Sequence, residues 1–253
     1  RDGQILESQV EKEACNMNLD WRKRVSFHAV LEPSCMNRFS ARITMVDKKP
    51  GNPVYLEEEH IKEACCYSND RIRVRINPET GLLDSYEVDG EEYLREGSGA
   101  LVVMKTDCDP WGMNRHSYRE ELGRFRLMGK EEGSRYSGTS NERHGSAGCL
   151  IPRVRIVEDG PVKRVVEAVM EYGHSQACIR YILPARGTKL RVEIRVNWAE
   201  KGAFLKWEIP AVLKEAIPFA ETAYGVMEHR SDGAEKVFHR WCGIFDKNKK
   251  RAL

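Results

Sequence analysis

Apolar and polar residues alternate one for one along much of the chain, most cleanly from Leu190 to Trp198. Leu190, Val192, Ile194, Val196 and Trp198 fall in one phase, and Arg191, Glu193, Arg195 and Asn197 in the other. That is the period of a strand with one wet face. After the four residues AEKG, Leu205, Trp207 and Ile209 repeat the alternation against Lys206 and Glu208 until Pro210 ends it. The spacing predicts a hairpin turning near Gly202. Near the start, Val25, Phe27, Ala29 and Leu31 alternate with Arg24, Ser26 and His28, and Phe39, Ala41, Ile43 and Met45 with Ser40, Arg42 and Thr44. Two more strands are expected there, bridged by EPSCMN.

Turn chemistry spaces the rest of the chain. Asn77 to Gly81, Asp89-Gly90, Asp159-Gly160, Gly173-His174 and Ala185 to Gly187 each separate strand-like runs, because Gly, Asn and Asp tolerate the backbone angles that tight turns need. This cadence predicts an antiparallel all-β protein. Lys48 to Pro53, KKPGNP, does not suit a central strand, so a boundary is placed there. A small β module occupies 1–50 and the main sandwich 54–253. Val54 to Cys66 is ambiguous: helical spacing would gather Ile61, Ala64 and Cys65 on one face, but an extended entry into the first main strand is also compatible. Thr106 to Gly148 is irregular and polar, with HSYREELGRF able to form one short helix on Tyr118, Leu122 and Phe125. Long structured loops in such folds cover a sheet or serve a site.

Composition narrows the function classes. The chain has 253 residues, 41% hydrophobic and 32% charged, long enough for a substantial core. Its 41 basic and 39 acidic residues are interleaved for a net charge of +2, which argues against nucleic-acid binding through a concentrated basic face. Arg71, Arg73 and Arg75 alternate with Ile72, Val74 and Ile76; the alternation favours a solvated strand face over a phosphate-binding stripe. No run approaches the roughly 18 apolar residues of a membrane helix, and no signal peptide is visible. Cys15, Cys35, Cys65, Cys66, Cys108, Cys149, Cys178 and Cys242 form no C-x-x-C pair. Zinc-ribbon spacing is absent, and the scatter suits free thiols in a reducing cytoplasm. The chain opens at Arg1 and stops at KNKKRAL, and is read as a piece of a longer protein.

The wording of several strands carries a resemblance. VNWAEKGAFLKWEIP resembles the W-x-E…L-K…P hairpin in the C-terminal β-domain of glycoside hydrolase family 38, the α-mannosidases. INPETGLLDSYEVDGEEYL, from Ile76 to Leu94, is similar to the family's strand, turn, strand passage, and VEDGPVKRVVEAVM, from Val157 to Met170, to its E-x-G-P-V-R strand pair. AYGVMEHR, from Ala223 to Arg230, and HRW, from His239 to Trp241, resemble the elements that follow. These motifs keep the family's order over roughly two-thirds of the chain. The resemblance implies an antiparallel supersandwich of the galactose-mutarotase-like kind, and it favours the extended reading of Val54 to Cys66. It also implies a retaining parent enzyme whose zinc and catalytic carboxylates lie in an N-terminal α/β domain.

None of that machinery is present in this sequence. A retaining glycosidase needs two carboxyl groups roughly 5 to 5.5 Å apart, and the family's zinc motif includes His-x-Asp; His28, His60, His116, His144, His174, His229 and His239 are each followed two positions later by something other than Asp. No nucleophile elbow, phosphate loop or dinucleotide fingerprint appears either. The candidate carbohydrate contacts are Asp107 and Asp109, as acceptors for hydroxyl protons, and Trp111, whose flat face suits a pyranose ring. Asp109-Pro110 is equally good turn chemistry. Arg230, two residues after Glu228, would share a strand face with it and could donate a bidentate pair to a diol or a carboxylate, or simply pair with a neighbouring strand.

The expected function is thus the non-catalytic β-domain of an α-mannosidase-like glycoside hydrolase, inactive alone. It would bind no metal or cofactor itself, pack against the zinc-dependent catalytic domain of the same chain, and help shape the cleft for an α-mannoside substrate. Neither nucleic acid nor membrane is an expected partner, and the expected location is cytoplasmic. Two other readings remain: a free-standing carbohydrate-binding module with an aromatic platform around Trp111, and a mutarotase-like epimerase. The epimerase requires His174 or His239 to face a carboxylate in a deep pocket.

Overall fold

In the computed structural model the described residues are 3–12, 23–45, 47, 58–106, 118–129, 131–133, 152–248 and 252–253. They form an all-β protein of antiparallel sheets with a single named helix among them. The centre is a sheet in the order β10 (Val154–Asp159), β11 (Lys163–Tyr172), β12 (Ser175–Pro184) and β13 (Arg191–Asn197), with β9 (Arg126–Leu127) also pairing with β11. Strands β11 and β12 make the predicted hairpin around Gly173, whose φ of 54° suits glycine. On the inner phase Val166, Ala168 and Met170 lie opposite Tyr181, Ile179 and Ala177, all buried. The outer phase carries Val165, Glu167 and Val169 opposite Ile182, Arg180 and Cys178.

A second sheet, in the order β3 (Cys66–Ser68), β4 (Ile72–Ile76), β5 (Leu83–Val88) and β6 (Glu91–Glu92), and a third, in the order β14 (Ala203–Glu208), β7 (Ala100–Lys105) and β8 (Glu121–Arg124), contribute to the same core. Strand β4 behaves as its alternation predicts. Ile72, Val74 and Ile76 are buried, while Arg71 binds Asp89 at 3.0 Å and Arg75 reaches Glu96 at 3.2 Å. These arginines are spent on local carboxylates, in keeping with a solvated face. Tyr181, fully buried, donates its hydroxyl to the Gly81 carbonyl at 2.8 Å and so ties the central sheet to the β4–β5 turn.

Four expectations are corrected. The runs around 190–198 and 204–209 are not hairpin partners: β13 pairs with β12, and β14 pairs with β7. Alternation fixes which face is apolar but not which strand lies beside it, and Val192, Ile194, Ala203 and Leu205 all reach one core from two sheets. Residues 58–64 form α1 (Glu58–Ala64), which buries Ile61, Ala64 and the adjoining Cys65; the helical spacing prevailed over an extended entry. Glu121 to Arg124 is strand β8 rather than helix, because its backbone pairs with β7 and Arg124 lies opposite Val102. Near the start, β1 (Ser8–Lys12) pairs with β2 (Lys23–Phe27), but 39–45 forms no strand. The proposed linker Lys48 to Pro53 lies outside the described residues.

Candidate functional site

Of the sequence-derived contacts, Asp107, Asp109 and Trp111 lie outside the described residues. Arg230 is exposed and lies two residues beyond β16 (Gly225–Glu228), so the strand face it was expected to share with Glu228 is not formed. Strand β16 belongs to a small sheet with β15 (Ile217–Thr222) and β17 (Cys242–Phe245), in the order β16-β15-β17.

Among the described residues, Tyr118 and Arg119 meet the loop that follows Arg230. The Tyr118 amide donates to Glu235 Oε1 at 3.3 Å, and Lys206 Nζ bridges the Tyr118 carbonyl at 3.0 Å and Glu235 at 2.6 Å. Arg119 donates to the Asp232 carbonyl at 3.2 Å. Residues 118–119 are therefore tied to the loop that follows Arg230. The Tyr118 ring meets Phe204 edge-on at 4.8 Å, which seats this joint on β14. On the far side of the loop, Arg240 Nε binds Glu221 at 3.0 Å.

The joint is polar, exposed and ionised. The Ala234 amide and then Lys236 hold Asp232 below the usual carboxylate range, and Arg240 does the same for Glu221. Such groups can accept from or donate to sugar hydroxyls. A general acid needs the opposite, a carboxyl held protonated near neutrality. Sequence reading missed Lys206 and Glu235 as the tie, since no local pattern links positions so far apart.

A pocket of about 360 Å³ lies elsewhere, lined by Arg124, Arg126, Glu132, Glu171, Tyr172 and Gly173. Burial raises the pKa of Glu171; Arg126 opposes this, and the neighbouring Glu132 carboxylate, hydrogen-bonded to it, adds to the rise. These carboxyl groups touch each other and share Arg126, which leaves no room for the sugar that must sit between a nucleophile and an acid. Arg124 is occupied by Glu121 and Glu208. The visible signal for this cluster is Glu171 continuing the outer phase of Val165, Glu167 and Val169.

No donor set for zinc gathers here. His229 Nε2 is buried without a hydrogen-bond partner among the described residues, as a metal-seeking nitrogen would be, but no group of three or more His, Cys, Asp or Glu side chains is placed to share an ion among the described residues. The described residues do not fit the zinc centre that the resemblance implies for the parent. His174 and His239 are both exposed, and the pocket lining contains no histidine, so the arrangement required of an epimerase is not formed by either residue.

Residues 67–253 match the model of the glycosyl hydrolases family 38 C-terminal domain. The chain belongs to glycosyl hydrolase family 38. No curated protein matches it. For a family 38 C-terminal domain, the matched span takes in β4 to β17 and both roots of the joint, and it leaves the β1–β2 hairpin and α1 ahead of it. The match is to a domain of a glycoside hydrolase family 38 enzyme, and the polar joint between residues 118–119 and the 232–235 loop lies within the matched span.

Proposed function

We propose that this chain is the non-catalytic β-domain of an α-mannosidase-like, retaining family 38 enzyme. It packs against a zinc-dependent catalytic domain carried elsewhere on the parent chain, and it walls the carbohydrate cleft with the joint of residues 118–119 and 232–235. The observation that carries this reading is the family match over 67–253, taken with the tie through Lys206 and Glu235 between Tyr118 and the loop that follows Arg230. Arg230, with Asp107, Asp109 and Trp111, would contact the sugar, while bond cleavage is left to the other domain. A cytoplasmic parent agrees with the free thiols at Cys35, Cys65, Cys66, Cys178 and Cys242.

The test is steady-state kinetics of the parent enzyme on an aryl α-mannoside. Arg230→Ala should raise KM by about tenfold, equivalent to about 1.4 kcal/mol for one lost charged hydrogen bond, and should leave kcat within about threefold. An unchanged KM would remove Arg230 from the cleft. A loss of kcat alone would assign it to the chemistry instead.

A further inference from the structure

Between β16 and β17 the chain makes an excursion, 229–241, that carries Arg230. Its two ends are fixed to β15. The His229 amide donates to the Pro218 carbonyl at 2.8 Å, and the His239 amide to the Glu221 carbonyl at 3.0 Å. Between those points the loop has no apolar anchor: of residues 230–238 only Ala234 is even partly buried, and Val237 and Phe238 are 84% and 45% exposed. A segment with few buried apolar contacts sits at the low-stability end of a fold, so the conformation of this loop is set by its polar ties.

Among the described residues, the ties that leave the small sheet run to residues 118–119 and to Lys206. Lys206 lies on β14 opposite Val102, beside the small apolar cluster of Val102, Met104 and Phe204. Its ammonium donates to the Tyr118 carbonyl at 3.0 Å and to Glu235 Oε1 at 2.6 Å, and the same Glu235 oxygen accepts from the Tyr118 amide at 3.3 Å. Lysine and glutamate thus engage both backbone groups of Tyr118, as a neighbouring strand would. Arg119 donates to the Asp232 carbonyl, and a Cβ added at Gly233, whose φ is +73°, would stand 2.9 Å from Arg119 Nη2. The chain at 232–233 is therefore shaped around that guanidinium. Of the side chains in this network, Lys206 is the one that stands on a strand. It sets the position of the loop against the sandwich.

We propose that Lys206 is a positioning residue for carbohydrate: through Glu235 it holds the loop in the conformation that presents Arg230 to the sugar. The inference rests on the reading of Arg230 as a residue of the cleft. Lys206 itself touches no sugar. An ion pair as exposed as this one adds little to global stability, and its loss leaves the sandwich folded. The loop has few other ties, however, so the same loss redistributes its conformations. Apparent affinity falls with the fraction of molecules whose loop is in the binding geometry, and a fall from near one to about one fifth raises KM about fivefold. Because the bound enzyme has the loop in place, kcat is kept.

A double-mutant cycle in the parent enzyme, assayed on an aryl α-mannoside, tests this. Lys206→Met should raise KM about fivefold with kcat within about twofold. Glu235→Ala, which cuts the same tie from the loop side, should match it, and Glu235→Gln, which keeps an acceptor oxygen, should recover most of the loss. In the Arg230→Ala background, Lys206→Met should add less than about twofold, because the loop no longer carries the group that it positions. Hydrogen exchange of the same proteins, read by mass spectrometry, should quicken over 231–238 and stay unchanged over 203–208, which reports that β14 is intact. Effects of Lys206→Met and Arg230→Ala that multiply would overturn the inference and leave Arg230 in the cleft, as would a wild-type KM in Lys206→Met with a loosened loop. Unchanged exchange over 231–238 would also overturn it. Arg230→Ala without effect on KM would overturn the cleft reading, and the inference with it.

Discussion

Gly81, the last residue of the Pro-Glu-Thr-Gly turn, is the position where a single methyl group should cost most. Its φ is +71°, a left-handed conformation that costs an L-residue about 1–2 kcal/mol. A Cβ there would lie 2.8 Å from Ala168 Cβ, 3.0 Å from Leu127 Cδ1 and 3.0 Å from Met170 Cε. The leucine and methionine methyls can swing aside. Ala168 Cβ is fixed to the backbone of central strand β11, so the turn itself must lift, pulling its carbonyl from the Tyr181 hydroxyl. Overpacking of this kind costs about 1–3 kcal/mol, which gives about 2–5 kcal/mol in all for Gly81→Ala. Gly90→Ala is the control: its φ is +85° and nothing stands within 4 Å of the added Cβ, so only the conformational cost of about 1–2 kcal/mol applies. Urea unfolding followed by tryptophan fluorescence reads both variants. Gly81→Ala destabilising no more than Gly90→Ala would refute the packing of this turn onto β11.

Further outcomes follow from the buried charges and thiols. Glu167 is 3% exposed and accepts from Arg155 Nε at 2.8 Å and Arg180 Nε at 2.6 Å; Glu167→Gln should cost about 3 kcal/mol, the low end for a broken buried ion cluster, because Arg180 keeps some water. Burial alone would raise the pKa of Glu167, but Arg155 and then Arg180 outweigh it and hold the carboxyl below its usual range. A depressed folded pKa contributes stability above the unfolded value of about 4.3 and loses it as pH falls through the folded value. The stability gap between wild type and Glu167→Gln, measured in urea from pH 7 downward, should therefore stay level to about pH 5 and narrow below about pH 4; a gap that widens on acidification would contradict the pairing. Burial pushes the Cys65 and Cys178 thiols up to about 12, so a thiol reagent at pH 8 should label the exposed Cys35, Cys66 and Cys242 in the native protein, and Cys65 and Cys178 only on unfolding. Labelling of Cys178 at the rate of Cys66 would show that the outer face of the central sheet is open.

Faces were legible along β4, less so where Val25, Val196 and Trp207 of the apolar phases are exposed, and neighbours were not. Ile72, Val74 and Ile76 are buried as their alternation required, and the turns at Gly81, Gly90, Gly173 and Gly187 all use positive φ. The hairpin drawn from Leu190 to Pro210 failed because two wet-faced strands in succession look the same whether they pair or cross between sheets; only register separates β12–β13 from β7–β14. Tyr118, Leu122 and Phe125 have helical spacing, yet Leu122 is exposed and Phe125 buried, which strand pairing with β7 decided. The run at 39–45 has the right pattern for a strand, but a strand needs a partner backbone that no local pattern supplies. At the candidate site, arginine chemistry at 230 could be read from its residue type. The tie of residues 118–119 to the loop after it depends on Lys206 and Glu235, contacts between positions far apart in sequence.

The central claim is a division of labour between this β-domain and a catalytic domain outside it. Hydrolysis of an aryl α-mannoside, measured at equal molar concentration for the 253-residue chain and for the parent enzyme, tests that claim most directly. The account predicts turnover by the parent that a zinc chelator abolishes, and none by this chain; turnover by this chain alone would contradict it.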